Sequence, residues 1–150
     1  MKKFNKCSLF LFLFVLIFTF SGCSARSAIT ADTFQKEAKN CGYTVKQTSS
    51  TNANVASYYT GTTSSADDEL DYVLAASDSS ALEIYNSMKD SIGTGGGKPQ
   101  TIDSSSYSKY VVTNGEMYYV LARVDKTVVY AKSTASNKAN VDKFFNAIKY

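Results

Sequence analysis

Few side chains in this chain are suited to chemistry. Its 150 residues include no histidine and no tryptophan, one proline and three cysteines. Imidazole acid–base catalysis and histidine metal ligation are therefore closed to it. Asp67, Asp68, Glu69 and Asp71 form an acidic cluster, and carboxylate oxygens suit a hard cation such as calcium. The EF-hand pattern is missing, so the cluster reads as a solvated loop and the start of a strand. Gly93-Thr94-Gly95-Gly96-Gly97-Lys98-Pro99 has the look of a phosphate loop but the wrong spacing. Ile92 stands where the first glycine belongs, and Pro99 where the hydroxyl belongs. Gly93–Ser105 is read instead as a long flexible loop. Ser106-Tyr107-Ser108-Lys109 matches the S-x-x-K pattern of penicillin-binding enzymes. That chemistry needs Ser and Lys on one helix face, whereas here the segment reads as a strand that points them apart. Cys41 shares an apolar stripe with Phe34 and Ala38 and reads as a small core residue.

The remaining candidate is a sheet face. Asn114-Gly115 between two runs rich in Val and Tyr predicts a hairpin with those two residues as its loop. That register sets Thr113 opposite Glu116, Val111 opposite Tyr118 and Lys109 opposite Val120. Tyr107, Val111, Tyr118, Val120, Ala122 and Val124 then share one face, joined by Val129 and Ala131 from the next strand. These small and branched residues suit a helix-covered core. The opposite face holds Tyr110, Tyr119, Arg123, Tyr130 and Lys132 among Val112, Met117, Leu121 and Val128. Tyrosine and arginine are enriched at binding hot spots. The candidate binding face is therefore Tyr110, Tyr119, Arg123, Tyr130 and Lys132, provided that the last helix does not lie over it. No catalytic residue, metal ligand or cofactor site is assigned.

The elements that must position this face follow from periodicity. Thr30 is placed to cap a helix running to about Asn40, with Ile29 and Phe34 as a hydrophobic staple and Gly42 as its stop. Tyr43–Thr48, Val55–Thr60 and Leu70–Ala76 read as strands. Ser80 and Glu83 have capping-box spacing, and Ala81, Tyr85, Met88 and Ile92 mark a helix stripe. Tyr107–Thr113, Glu116–Val124 and Thr127–Lys132 form a meander turned by Asn114-Gly115 and Asp125-Lys126. A last helix starting at Ser136 or Asn137 presents Val141, Phe144, Phe145 and Ile148. The fold class is α+β, an antiparallel sheet of five to six strands with three helices in the order αβββαβββα.

The first 22 residues stand apart. Lys2, Lys3 and Lys6 precede an apolar run from Ser8 to Phe20, the layout of a signal-peptide helix. A run of about 13 residues falls short of the roughly 20 that span a bilayer. Without this leader 128 residues remain, with 13 basic and 13 acidic side chains, so the formal charge of +3 belongs to the leader. A neutral domain offers nucleic acid no clustered basic face. Phe20-Ser21-Gly22-Cys23 resembles the lipobox of bacterial lipoproteins. The resemblance implies cleavage before Cys23, lipid on its thiol, and a protein held at the outer face of the cytoplasmic membrane. Residues 1–22 are then the signal peptide, 23–28 the lipidated cysteine and a short tether, and 29–150 a single domain. Lys138, Lys143 and Lys149 line the polar side of the last helix within reach of headgroups, though Asp142 interrupts them. The size, the lipobox and the run from Thr113 to Ala131 resemble the small lipoproteins of Gram-positive bacteria, a group that implies no particular activity. The element order is also loosely similar to PsbP/Mog1-type domains.

These readings favour a non-enzymatic binding module, its partners the membrane through Cys23 and a cell-envelope protein, peptide or glycan. A small-ligand carrier would instead require a closed apolar cavity. A cell-wall enzyme relying on carboxylates would require two acids in one deep pocket.

Overall fold

A computed structural model describes residues 26–150. The expected signal-peptide helix, the lipobox-like segment and Cys23 lie outside the described residues. Helix α1 (Ala31–Asn40) precedes β1 (Thr44–Thr48), β2 (Val55–Thr62) and β3 (Glu69–Ala75). Helix α2 (Asp78–Ile92) precedes β4 (Gln100–Asp103), β5 (Tyr107–Asn114), β6 (Met117–Val124) and β7 (Thr127–Thr134). A short 3₁₀ turn, Ala135–Asn137, leads into α3 (Lys138–Ala147). All seven strands form one antiparallel sheet in the order β1-β2-β3-β7-β6-β5-β4. Two meanders thus join through the central pair β3–β7.

The α+β class and the three helices agree with the sequence. The strand count does not, because β4 occupies a stretch read as a flexible loop. All four of its residues are exposed, so no apolar alternation announces it. It exists through its ladder to β5, in which Gln100 pairs with Val111 and Asp103 with Ser108. The glycines before it have a packing reason. Gly97 turns back onto the Thr94 carbonyl at 2.7 Å, and a Cβ there would sit 2.1 Å from the Thr113 carbonyl. A side chain at that point would push β4 off β5.

Capping fixes the helix starts. The Thr30 hydroxyl accepts from the Thr33 amide at 3.2 Å, and Gly42 follows α1 at φ +85°. Helix α2 begins a turn earlier than the Ser80–Glu83 spacing suggests. Ser77 is its cap, accepting from the Ser80 amide at 3.1 Å. Two serines three apart can each serve as a cap, and the extra turn buries Ser80 and Ala81.

The β5–β6 register also differs. Asn114 pairs with Met117, Thr113 with Tyr118 and Val111 with Val120. The loop is Gly115-Glu116, with Gly115 at φ +61°. Glycine at the first loop position marks a type II′ turn. The pairing is two residues from the expected one, so every side chain keeps its expected face.

One face of the sheet is covered by α1 and α3. Phe34, Leu70, Tyr72, Val120, Val129, Phe144 and Phe145 are buried there. The Phe34 ring meets Phe144 edge-on with centroids 5.7 Å apart. Complete burial of such a ring contributes about 1.5–3 kcal/mol.

Candidate functional site

The face read as tyrosine-rich is covered in part, by α2 and not by the last helix. Helix α2 lays Ala81 and Tyr85 over Val73, Tyr110, Val112, Leu121 and Val128. It leaves the other end of the same face, toward β2 and the start of β3, partly open.

This partial cover separates the five residues singled out from the sequence. Tyr110 is buried, and its hydroxyl donates to the Gly93 carbonyl at 2.8 Å. Arg123 is 2% exposed. Its Nη2 donates to the carbonyls of Ser104 and Ser105 at 3.0 and 3.1 Å, and to Ser108 Oγ at 3.3 Å. Arg123 therefore ties the β4–β5 loop to the sheet beneath it. Tyr119, Tyr130 and Lys132 do come together. They line an open groove of about 430 Å³ with Glu69, Met88 and Ile92. Tyr119 pairs with Lys132 and Leu121 with Tyr130, so the two tyrosines are diagonal neighbours on one face.

Two further residues belong to this face. Asp71 pairs with Tyr130 on one side and with Thr60 on the other, and Tyr58 pairs with Val73. Tyr58, Asp71 and Tyr130 therefore stand on adjacent strands, side chains to the same face, with Tyr119 one strand beyond. Asp71 is 6% exposed, and among the described residues its Oδ1 has no hydrogen-bond partner. Burial pushes its carboxyl up to about 6; Glu69 adds to the rise, while the Tyr58 and Thr60 hydroxyls oppose it. Burial likewise pushes Tyr58 up to about 12 and Tyr130 upward, the latter with help from Glu69. Both phenols stay protonated at neutral pH and remain donors.

The charged groups of this face are Glu69, Asp71, Lys132 and, on β1, Lys46, which pairs with Thr60 in the ladder. Glu69 pairs with Lys132 across the β3–β7 ladder. Yet the ion pairs among the described residues are Lys36–Glu37, Lys89–Asp103 and Lys138–Asp142. None of them involves Glu69, Asp71 or Lys132.

The acidic cluster does not act as a unit. Asp68 Oδ2 accepts from Thr63 Oγ1 at 3.2 Å and from Asn137 Nδ2 at 2.9 Å. Glu69 and Asp71 belong to the α2 face. Among the described residues, no three Asp, Glu or Cys side chains converge to hold a metal. Cys41 is buried, and that burial pushes its thiol up, away from thiolate. A second open depression, about 420 Å³, lies between β4 and α3. Two of its three basic groups are already engaged: Lys138 pairs with Asp142, and Lys109 donates to the Tyr150 main-chain oxygen at 3.0 Å, while Lys98 is the third.

Asp71 had one legible signal, a charged residue inside an otherwise apolar alternation, Leu70-Asp71-Tyr72-Val73. Its link to Tyr58 and Tyr130 depends on β3 pairing with β7 across the sheet, which no local pattern encodes.

In fold the chain is similar to a crystal structure of a GTP binding regulator from Thermotoga maritima. The TM-score is 0.53 at 12% identity, over 80% of this chain and 87% of that one. At that identity the likeness concerns the fold alone. No protein-family model matches the chain, and no curated protein matches it.

Proposed function

We propose that this protein is a non-enzymatic binding module, lipid-anchored through Cys23 at the outer face of the cytoplasmic membrane. It would hold a cell-envelope protein, peptide or glycan against the open half of its α2 face. The observation that carries this reading is the groove of Tyr119, Tyr130 and Lys132, which α2 leaves uncovered. Tyrosine rings offer large contact area and a polar tip at low entropic cost.

The geometry of the N-terminal segment suits a domain held close to a bilayer. Arg26 stacks over the Tyr107 ring at 4.0 Å. The Ile29 amide donates to the Tyr150 hydroxyl at 2.9 Å, and the Ile29 carbonyl accepts from the Tyr72 hydroxyl at 3.0 Å. The chain is tied to the domain from Arg26 onward, so only Ser24 and Ala25 separate that point from Cys23. Three steps of about 3.4 Å give a reach of roughly 10 Å. Among the described residues no helix is long and apolar enough to cross a membrane.

The carrier reading has less support. The two buried clusters are filled by side chains, and the groove beside them is open. Nucleotide binding is not carried over from the structural neighbour, because at 12% identity the likeness concerns the fold alone.

Cross-linking and pull-down of the lipidated protein tests the proposal, with a Tyr119→Ala/Tyr130→Ala variant beside wild type. The expected result is a specific partner that the variant loses. Equal recovery by both proteins would remove the groove from the account. Cys23→Ala should release the protein from the membrane fraction, and retention would contradict the anchor.

A further inference from the structure

The domain is neutral overall, yet its charges are sorted by side. From Lys138 to Tyr150 the last helix and its end carry Lys138, Lys143 and Lys149 against Asp142. Helix α2 carries Asp78, Glu83 and Asp90 against Lys89. The N-terminal segment runs between the two, and Ala28, Ile29 and Thr30 wall a depression on each flank. On the α3 flank the charged lining residues are Arg26 and Lys149, with no acid beside them. On the other flank they are Asp78, Asp125 and Lys126. The root of the tether thus divides a basic side from an acidic one.

The basic side continues along β5. Lys109 Nζ lies 5.4 Å from the centre of the Phe145 ring, and Phe145 lines the depression that holds Arg26 and Lys149. Lys109 also lines the depression between β4 and α3, with Lys98 and Lys138. Burial pushes the Lys109 amine down from the ordinary lysine range; Arg26 and Lys138 push the same way, and Asp142 opposes them. Two of these cations are answered within the domain, Lys138 by Asp142 and Lys109 by the Tyr150 main-chain oxygen. Arg26, Lys98 and Lys149 have no ion-pair partner among the described residues, and all three are exposed. Lys143 lines neither depression.

We infer that this side, from the root of the tether along α3 to the β4 edge, is a docking surface for the phosphate headgroups of an anionic bilayer. The inference rests on the lipid anchor proposed above and goes beyond it by fixing which side of the domain meets the membrane. A reach of roughly 10 Å from Cys23 keeps Arg26 within about one Debye length of the surface, where lipid charge is still felt. Each basic side chain close to such a surface is worth roughly fivefold in occupancy. The same lipids repel Asp78 and Asp125, so the domain rolls about its tether until α3 faces the bilayer. The groove of Tyr119, Tyr130 and Lys132 lies on the opposite face of the sheet, and this orientation turns it outward.

Two exposed apolar side chains report the orientation. Ile102 on β4 lines the α3-side depression and is 50% exposed, and Leu82 on α2 is 43% exposed. The full lipidated chain is placed in phosphatidylcholine nanodiscs containing about one-third phosphatidylglycerol and a trace of nitroxide-headgroup lipid. Methyl NMR then measures paramagnetic relaxation. We expect the Ile102 methyls to relax at least about threefold faster than those of Leu82. The ratio should fall toward one in pure phosphatidylcholine, in high salt, and in Arg26→Gln/Lys98→Gln/Lys149→Gln. Equal relaxation of Ile102 and Leu82 with phosphatidylglycerol would overturn the inference. So would a ratio that is the same in both lipids, or the same in the variant as in wild type. If the variant fails to fold, the wild-type comparison between the two lipids decides. Mass spectrometry of the same sample reads the anchor separately. Lipidated protein with equal relaxation sinks the docking surface alone. Protein held in the discs without lipid on Cys23 sinks the anchor alone, and the methyl ratio still decides the surface.

Discussion

One sheet in this protein has two faces finished in different ways. On the first, α1 and α3 together bury Phe34, Tyr72, Phe144, Phe145 and a lining of small and branched strand residues. The charged side chain that packs against it is Lys109, whose Nζ lies 5.4 Å from the centre of the Phe145 ring. On the second, α2 alone lays Tyr85 over Leu121 and Val128 and leaves Glu69, Tyr58, Tyr119, Tyr130 and Lys132 half-buried beyond it. A buried carboxylate, Asp71, lies on this face between Thr60 and Tyr130. The first face is built for stability, with ring packing that any truncation would spoil. The second gives up part of that stability and leaves tyrosine and charged side chains open in a groove beside α2, as suits a surface that meets another molecule.

The sharpest way to break the comparison is to weaken the first face. Phe144→Ala should cost about 3–5 kcal/mol, as aromatic truncation in a closed core does. Urea unfolding followed by circular dichroism checks it, and a loss below about 1 kcal/mol would mean that this core is not tightly packed. Arg123→Ala should cost less, about 2–3 kcal/mol, since it frees three oxygens held by one charged group. It should also release β4, seen as faster amide exchange over Gln100–Asp103. Protection there that matches wild type would contradict its role as a tie.

Asp71→Asn should act in the opposite direction. The folded carboxyl is raised from 3.8 to about 6, so the folded state binds the proton more tightly than the unfolded chain. Stability therefore falls as pH rises from about 4 to 6 and stays reduced above that. The full shift corresponds to about 3 kcal/mol, and relaxation around the ion leaves an expected gain of about 1–2 kcal/mol for Asp71→Asn at pH 7. Unfolding measured at pH 4, 5, 6 and 7 should show a smaller decline in the variant. Identical curves would mean that Asp71 is solvated. Tyr119→Ala should have the smallest effect on folding, under about 1 kcal/mol, because the ring is only half-buried and its loss is open to water. A larger loss would move Tyr119 from the open face to the core.

Much of this arrangement was legible in the amino-acid order, and the failures share a cause. The alternation in β5, β6 and β7 sorted residues to the correct faces even though the β5–β6 pairing is two residues away from the one expected, because side-chain direction repeats every two residues. Gly115 decided that register by taking the first loop position of a type II′ turn, where an Asn-Gly pair had suggested both loop positions. Strand β4 was illegible because an edge strand exposed at every position has no pattern to read. The grouping of Tyr110 and Arg123 with Tyr119 and Tyr130 followed from face alone. Strand alternation says which side a residue takes but not how far along the sheet a helix extends. Asp71 was visible as a residue and invisible as a site, since its neighbours come from β2 and β7, one of them more than 50 positions away in sequence.

The central claim is that the open end of the α2 face meets another molecule. Photo-crosslinking in the intact cell tests it most directly. A benzoylphenylalanine is placed at Tyr119, and in parallel at the exposed Lys36 on α1 as a control. The account predicts a discrete adduct from position 119, absent from position 36 and lost when Tyr130 is also changed to Ala. No adduct from position 119, or the same adduct from both positions, would contradict it.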